Sequence, residues 1–261
     1  VRHHDNAVDA FVASVADDPT VLGVVISGSV ARGTERADSD VDLYLIVTED
    51  RWREAAEARR LMYTSVDGIG YDGGYFDIKL ATLSYLDDAA ARGDDPVRDS
   101  FAHVKVAFSR VDDLGERLRR IAEVPASHWD DLCAGFVAQC RLHGGYFLEQ
   151  AYERGDRMLL AHASTHLATS ASRALLAHNR VFFPGPKYLA SLTRALPDKP
   201  DGFDGMLTAL LDDPTPQTAR TLMDAVEKTV GSLLPEEETL SRFVLDNELA
   251  WRTGRSPVEY R

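Results

Sequence analysis

The chain has 261 residues, 44% hydrophobic and 27% charged, a composition that suits an ordinary globular protein with room for two domains. No run approaches the ~18 apolar residues of a membrane span, and Val1-Arg2-His3-His4-Asp5 lacks the apolar core of a signal peptide, so the cytoplasm is the expected compartment and no membrane partner is expected. The net charge of −13 is uneven: residues 1–115 hold 12 basic and 22 acidic side chains, a balance of −10, which leaves 17 and 20, or −3, for the remainder. That field repels phosphate backbones, so no nucleic-acid partner is expected, and it would attract a cationic small molecule. A generally acidified surface accounts for it equally well.

In chain order, Val8, Phe11, Val12 and Val15 recur at helical spacing over Asp5–Ala16, and Asp17-Asp18-Pro19 ends that helix. Val21–Ile26 reads as a strand. Gly28-Ser29 follows, where a missing Cβ lets a ligand approach the backbone and a hydroxyl lies beside a backbone N–H. Ser29–Arg32 opens a short helix whose N-terminus suits a phosphate, with Arg32 as a further contact or as the ion-pair partner of a nearby aspartate. Asp40-Val41-Asp42 then opens a second apolar run through Val47. On a strand, side chains two apart share a face, so Asp40 and Asp42 stand side by side while Val41 and Leu43 face the core. Two carboxylates held that close repel and call for a cation, and an all-oxygen site suits Mg²⁺.

Thr48-Glu49-Asp50 is an N-capping sequence for a charged helix from Arg51 to about Arg60. A strand at Leu61–Val66 and one at Tyr75–Leu80 pair across a glycine-rich turn. The second strand carries Asp77 between Phe76 and Ile78, on one face with Tyr75 and Lys79. Asp72, among glycines, is the competing acid, but an aspartate in a turn normally serves the backbone. Ser84–Ala91 reads as a helix closed by Arg92-Gly93-Asp94-Asp95-Pro96, His103–Phe108 as a strand, and Leu114–Val124 as a helix. These elements make a mixed sheet of four or five strands with flanking helices, ending near Pro125.

Beyond Pro125 strand signals vanish. Helical spacing runs through Trp129–Arg154, Met158–Asn179, Pro186–Leu196, Phe203–Leu211, Pro216–Leu233 and Glu236–Ala250, with Trp251–Arg261 unassigned. The expected class is therefore α+β, a sheet domain over residues 1–124 followed by a helical bundle over 125–261. Cys133 and Cys140, seven apart on a helix, have Cα atoms ~10 Å apart, too far for a disulfide. Lys187 follows Phe182-Phe183-Pro184-Gly185-Pro186 at a helix start, where a cation is unfavourable unless partnered; a triphosphate is one candidate partner, bulk solvent the other. Glu149 and Glu153, one turn apart, offer with Asp156 an ammonium site, or equally a solvated face. His162 and His166 have zinc-compatible spacing but no third ligand by spacing.

Gly28-Ser29, a spacer of ten residues, and Asp40-x-Asp42 between two apolar strands resemble the signature of the DNA polymerase beta nucleotidyltransferase superfamily. GSVARGTERADSDVDL is most similar to its small-molecule branch, which includes aminoglycoside and lincosamide nucleotidyltransferases. The resemblance spans residues 25–80 at the level of motifs and is only architectural over the bundle. It implies a third carboxylate on a neighbouring strand, which Asp77 supplies, and a helical domain that closes over the acceptor. It also implies Mg²⁺-dependent transfer of a nucleoside monophosphate, AMP from ATP or the equivalent from another NTP, to a small-molecule hydroxyl. On that reading Asp40 and Asp42 hold two Mg²⁺ ions, Asp77 either ligates the second ion or acts as general base, and Gly28, Ser29, Arg32 and Lys187 hold the triphosphate. Glu149 and Glu153 would meet a cationic acceptor. Two other readings stay open: modification of a protein, as minimal nucleotidyltransferase antitoxins do to helical HEPN partners, and a non-catalytic nucleotide-binding module. Arg173 and His178 spell the R-x4-H of HEPN ribonucleases, a spacing common by chance in helices.

Overall fold

The structure, a computed structural model, describes residues 2–258. It divides into two compact units, Val1–Val124 and Pro125–Arg261. Among the described residues no helix is long and apolar enough to cross a membrane.

The first unit is a five-stranded sheet with helices on both faces. Its elements are α1 (Arg2–Val15), β1 (Val21–Ile26), α2 (Gly28–Arg32), β2 (Val41–Val47), α3 (Glu49–Glu57), β3 (Met62–Ser65), β4 (Phe76–Ala81), α4 (Leu83–Arg92), α5 (Asp95–Ala102), β5 (Lys105–Ser109) and α6 (Leu114–Ala122). The strand order is β3-β4-β2-β1-β5. β2 and β4 pair in parallel, with Asp42 opposite Asp77; the other pairs are antiparallel.

Beyond Asp42, β2 is apolar because both its faces are covered. Val41, Leu43, Leu45 and Val47 join Ala7, Val8 and Phe11 of α1 in one core. Tyr44 and Ile46, on the face shared with Asp42, join Leu86, Phe101, Leu118 and Ile121 of the α4 to α6 layer in a second core. That second layer ends at Tyr44, which is why the acids at the start of β2 are left at an open edge rather than in the core.

One helix was not expected. Gly93-Asp94-Asp95-Pro96 reads as a helix terminator, yet the same residues start α5: Asp94 accepts from Val97 N at 3.2 Å as N-cap, and Pro96 lies in the first turn, where its missing N–H costs nothing. Arg98 of α5 is buried. It donates from Nε to Gly93 O at 2.8 Å, from Nη1 to Ile121 O at 2.6 Å and from Nη2 to Ala90 O at 3.3 Å, tying the three helices of that layer together.

The second unit is helical among its described residues. α7 (Ala126–Cys140) continues through a π-helical stretch (Arg141–Phe147) into α8 (Leu148–Arg154), and α9 (Arg157–His178) returns along α7 after a left-handed turn at Gly155. α10 (Pro186–Ala195), α11 (Phe203–Asp212) and α12 (Pro216–Val230) follow. The single helix expected over Glu236–Ala250 is instead a 3₁₀ turn (Glu236–Glu238), α13 (Thr239–Phe243), a π-helical turn (Val244–Glu248) and a 3₁₀ turn (Ala250–Thr253). Cys133 and Cys140 are buried free thiols; burial pushes Cys133 up to about 12, too high for a reactive thiolate at neutral pH.

Arg173 does not present a ribonuclease-like face. It is buried, with its guanidinium carbon 4.2 Å from the Phe136 ring and 4.3 Å from the Phe183 ring, and His178 Nε2 lies 2.8 Å from Asp198 Oδ2. Both residues serve packing of the bundle.

Candidate active site

The site is built where β1 ends and β2 begins. Ser27 N donates to Asp42 O at 2.9 Å, which locks the end of β1 onto the start of β2. Gly28 follows with φ of +64°, a left-handed backbone that glycine adopts freely and other residues adopt at a cost. The space enforces glycine as well: a Cβ at residue 28 would lie 2.7 Å from Asp42 Cγ and closer still to Oδ2. Ser27 caps α2 with no side-chain hydrogen bond, so the first-turn N–H groups of Gly28, Ser29 and Val30 have no intrahelical acceptor.

The acids lie on adjacent strands. Asp42 and Asp77 are register partners on β2 and β4, and Asp40 immediately precedes β2. Asp42 is half-buried, and its carboxyl is pushed above the ordinary carboxylate range first by burial, then by the Asp40 charge, with Asp77 adding to the rise. Lys79 and Arg32 oppose it. Asp77 Oδ1 is a buried oxygen with no hydrogen-bond partner among the described residues. A buried acceptor without a partner is costly, and two neighbouring carboxylates make it costlier. The oxygen-only donor set, the mutual repulsion and the orphaned Asp77 oxygen together fit a hard divalent cation. Among the described residues no three His, Cys, Asp or Glu side chains are already gathered as a metal cage. Lys79 supplies the strongest opposing charge at Asp42.

The loop before Asp40 is held from behind. Tyr71 Oη donates to Ser39 O at 2.6 Å, His4 Nε2 reaches the same carbonyl at 3.3 Å, and His3 Nε2 reaches Ala37 O at 2.9 Å. The three rings pack with centroids 4.3 to 4.9 Å apart. Tyr71 in turn requires Gly74, whose Cβ would lie within 2.8 Å of the Tyr71 ring. The glycine-rich turn is thus a seat for Tyr71, and Asp72 is exposed within it while Asp77 sits opposite Asp42.

Three further side chains contribute, two of them already on the Asp77 face in the sequence and one, Asp99, not marked there. The Tyr75 side chain hydrogen-bonds to the Asp40 carboxylate, which raises the phenol's pKa; Lys79 supplies the counter-charge. Asp99, on the unexpected helix α5, has its carboxyl raised by burial, and the Arg32 charge opposes that rise as it does for Asp42. Alternation on β4 placed Tyr75 and Lys79 on the right face; nothing local marked Asp99. Lys105 Nζ donates to Val30 O at 3.4 Å, joining β5 to α2.

Lys187, Glu149 and Glu153 belong to the second unit. Lys187 is exposed, with Nζ 5.3 Å from the Tyr188 ring centroid. Glu149 Oε1 is 3.6 Å from Arg220 Nη2, a solvent-exposed ion pair, and Glu153 is exposed. Glu149 is therefore already matched by a cation of its own unit.

Residues 8–85 match the family model of the nucleotidyltransferase domain. No curated protein matches the chain. Among solved structures, a nucleotidyltransferase-like protein from Exiguobacterium sibiricum shares the fold with a TM-score of 0.51 and 13% identity, over 93% of this chain and 79% of that one. With the glycine turn and the three aspartates at the starts of the inner strands β2 and β4, these matches make the N-terminal unit similar to the nucleotidyltransferase domain over residues 8–85.

Proposed function

We propose that the chain transfers a nucleoside monophosphate, AMP from ATP, to a hydroxyl of a small molecule and releases pyrophosphate. The observation that carries the reading is the parallel register of Asp42 and Asp77 beside Asp40, facing a glycine turn that only a missing side chain permits. When bound, two Mg²⁺ ions would neutralise the triphosphate and its leaving group and lower the pKa of the acceptor hydroxyl. Asp40, Asp42 and Asp77 are the residues to hold them. The orphaned Oδ1 of Asp77 is the atom proposed to accept the hydroxyl proton. Gly28, Ser29 and the open first turn of α2 would cradle the triphosphate, with Arg32 at its side.

The acidic balance of the sheet half supports a cationic acceptor, of which aminoglycosides are one chemical class, and disfavours a polynucleotide. A lincosamide-like sugar is the less charged alternative. The test is to incubate the protein with Mg²⁺, each NTP in turn and panels of both antibiotic classes, and to follow addition of one nucleoside monophosphate by mass spectrometry. A mass gain on an acceptor supports the reading; no product with any pair removes antibiotic modification from it.

A further inference from the structure

The helical unit contains a cavity of about 550 Å³ that the reading above does not use. It lies between the π-helical stretch Arg141–Phe147, α12 and the segment from Glu236 to Leu240. We infer that this cavity binds a small organic amine, a cation carrying an aliphatic or aromatic body. The inference does not rest on nucleotidyl transfer.

Three features carry it. The first is Gly145. A π-helical insertion within a helix frequently marks a functional position, and this one contains two adjacent glycines with different surroundings. Gly144 is packed shut, since a Cβ there would meet Met223 Sδ and Leu167 Cδ2 within 3.0 Å. Gly145 is not: a Cβ there would meet nothing within 4 Å, and it lines the cavity. A glycine inside a helix sacrifices stability to backbone entropy, and neither packing nor a left-handed φ demands it at 145. What its missing side chain provides is room.

The second feature is the charge left after internal pairing. The cavity holds Arg141 with Asp224, Glu227 and Glu236. Arg141 is spent within the protein: Nε donates to Glu227 Oε1 at 2.9 Å, Nη2 to Glu227 Oε2 at 2.7 Å, and Nη1 to Thr239 Oγ1 at 2.8 Å and to the Leu234 and Pro235 carbonyls at 3.2 and 3.4 Å. Glu227 is consumed by the same pair. Asp224 has no ion-pair partner among the described residues, and Glu236 makes no direct ion pair although it lies in the field of Arg141, so the three acids of the cavity face a single cation that is already bonded to one of them. An anion is repelled there and an amine is attracted.

The third is the wall. Leu142 and Met223 form an apolar floor, and Tyr146 is 54% exposed at the rim, where its ring can cover an alkyl chain or an ammonium group. The volume suits a drug-sized molecule, and an apolar wall with a few convergent polar groups is the usual make-up of such sites.

The test is calorimetric titration of the full chain, without nucleotide or Mg²⁺, with phenethylamine and 1,8-diaminooctane. The neutral counterparts 2-phenylethanol and 1,8-octanediol are titrated in parallel. The amines are expected to bind one per chain and the alcohols roughly three- to tenfold more weakly or not at all. Gly145→Phe should abolish binding. Asp224→Asn with Glu236→Gln changes two exposed side chains, keeps the melting temperature, and should weaken amine binding roughly three- to tenfold, the effect of losing two solvent-exposed ion pairs. Asp42→Asn should leave amine binding unchanged. Absence of amine binding, equal binding of the alcohols, survival of binding in Gly145→Phe, undiminished binding in the Asp224→Asn, Glu236→Gln variant, or loss of binding in Asp42→Asn would each overturn the inference. The last result would place the cation at the aspartates of the sheet unit.

Discussion

Gly28 and Asp42 occupy one another's space: the left-handed backbone of Gly28 lies against the Asp42 carboxylate so closely that a Cβ would fall 2.7 Å from Asp42 Cγ. The proposed phosphate cradle and the proposed metal-binding acid are thereby set at a fixed spacing by the absence of one methyl group. Gly28→Ala adds that methyl at a φ of +64°, a conformation costing an L-residue roughly 1–2 kcal/mol. The Asp42 carboxylate must also move. We expect a lower melting temperature and about a 10²-fold loss of nucleotidyl transfer, the scale of an ångström-sized misplacement at a reacting centre. Unchanged activity with an unchanged melting temperature would mean that the contact has no functional weight.

Asp42→Asn separates stability from function. Burial and the Asp40 and Asp77 charges hold the Asp42 carboxyl above its ordinary range, so its ionised form is a source of strain in the metal-free fold. The variant is expected to melt at the same temperature or higher without ligands, to lose transfer, and to gain little stability from Mg²⁺ with ATP, whereas the native protein gains by mass action. Melting curves with and without ligand read this directly. An undiminished ligand shift in the variant takes Asp42 out of the site.

Asp77 and Asp72 are distinguished by register. Asp77→Asn should cost 10²- to 10⁴-fold in turnover if the group acts as general base, with nucleotide binding retained. If it is chiefly a ligand, the Mg²⁺ requirement rises as well. Asp72, exposed in the turn that seats Tyr71, should tolerate Asn with activity intact. Initial rates against Mg²⁺ concentration decide between these, and loss of activity in Asp72→Asn alone would reverse the assignment.

His143 gives the second unit a pH dependence. It is fully buried, and burial, followed by the neighbouring His166 and His162, holds its pKa down to about 3. In the unfolded chain the same group titrates near 6.5. Between those values the unfolded state binds the extra proton, so stability is complete above about pH 6.5 and declines as pH falls toward 3, by at most ~1.4 kcal/mol per pH unit. Urea melts at pH 7.5, 6.0 and 5.0 should show the decline, and His143→Leu should flatten it. Equal slopes in the two proteins would assign the acid sensitivity to other groups.

Salt dependence tests the acidic field. If the −10 balance of residues 1–115 draws in a cationic acceptor, its KM should rise steeply as the Debye length shrinks from ~30 Å to ~8 Å. Replacing Glu149 and Glu153 by Gln should flatten that rise if they meet the acceptor. Because Glu149 is paired with Arg220, the double variant also frees a cation, which Arg220→Gln in the same background controls for. A KM insensitive to salt points to a neutral acceptor.

Local chemistry was enough to read the strand pair around the site. Alternation placed Asp40 with Asp42, and Asp77 with Tyr75 and Lys79, because a strand has period two wherever it sits in a fold. The caps at Thr48 and Asp156 and the left-handed glycines are likewise decided within a few residues. Periodicity alone could not tell whether Pro96 ends a helix or begins one, since proline suits the position after one helix and the first turn of the next equally well; packing of Phe101 and Arg98 against α4 and α6 decided it. With α5 came Asp99, and so a second acid whose raised carboxyl the Arg32 charge opposes. The third dimension alone joined β2 to β4 in parallel, set Asp42 opposite Asp77, and left Gly145 facing open space while Gly144 is packed against Met223. These outcomes depend on contacts between residues tens of positions apart, which no local pattern encodes.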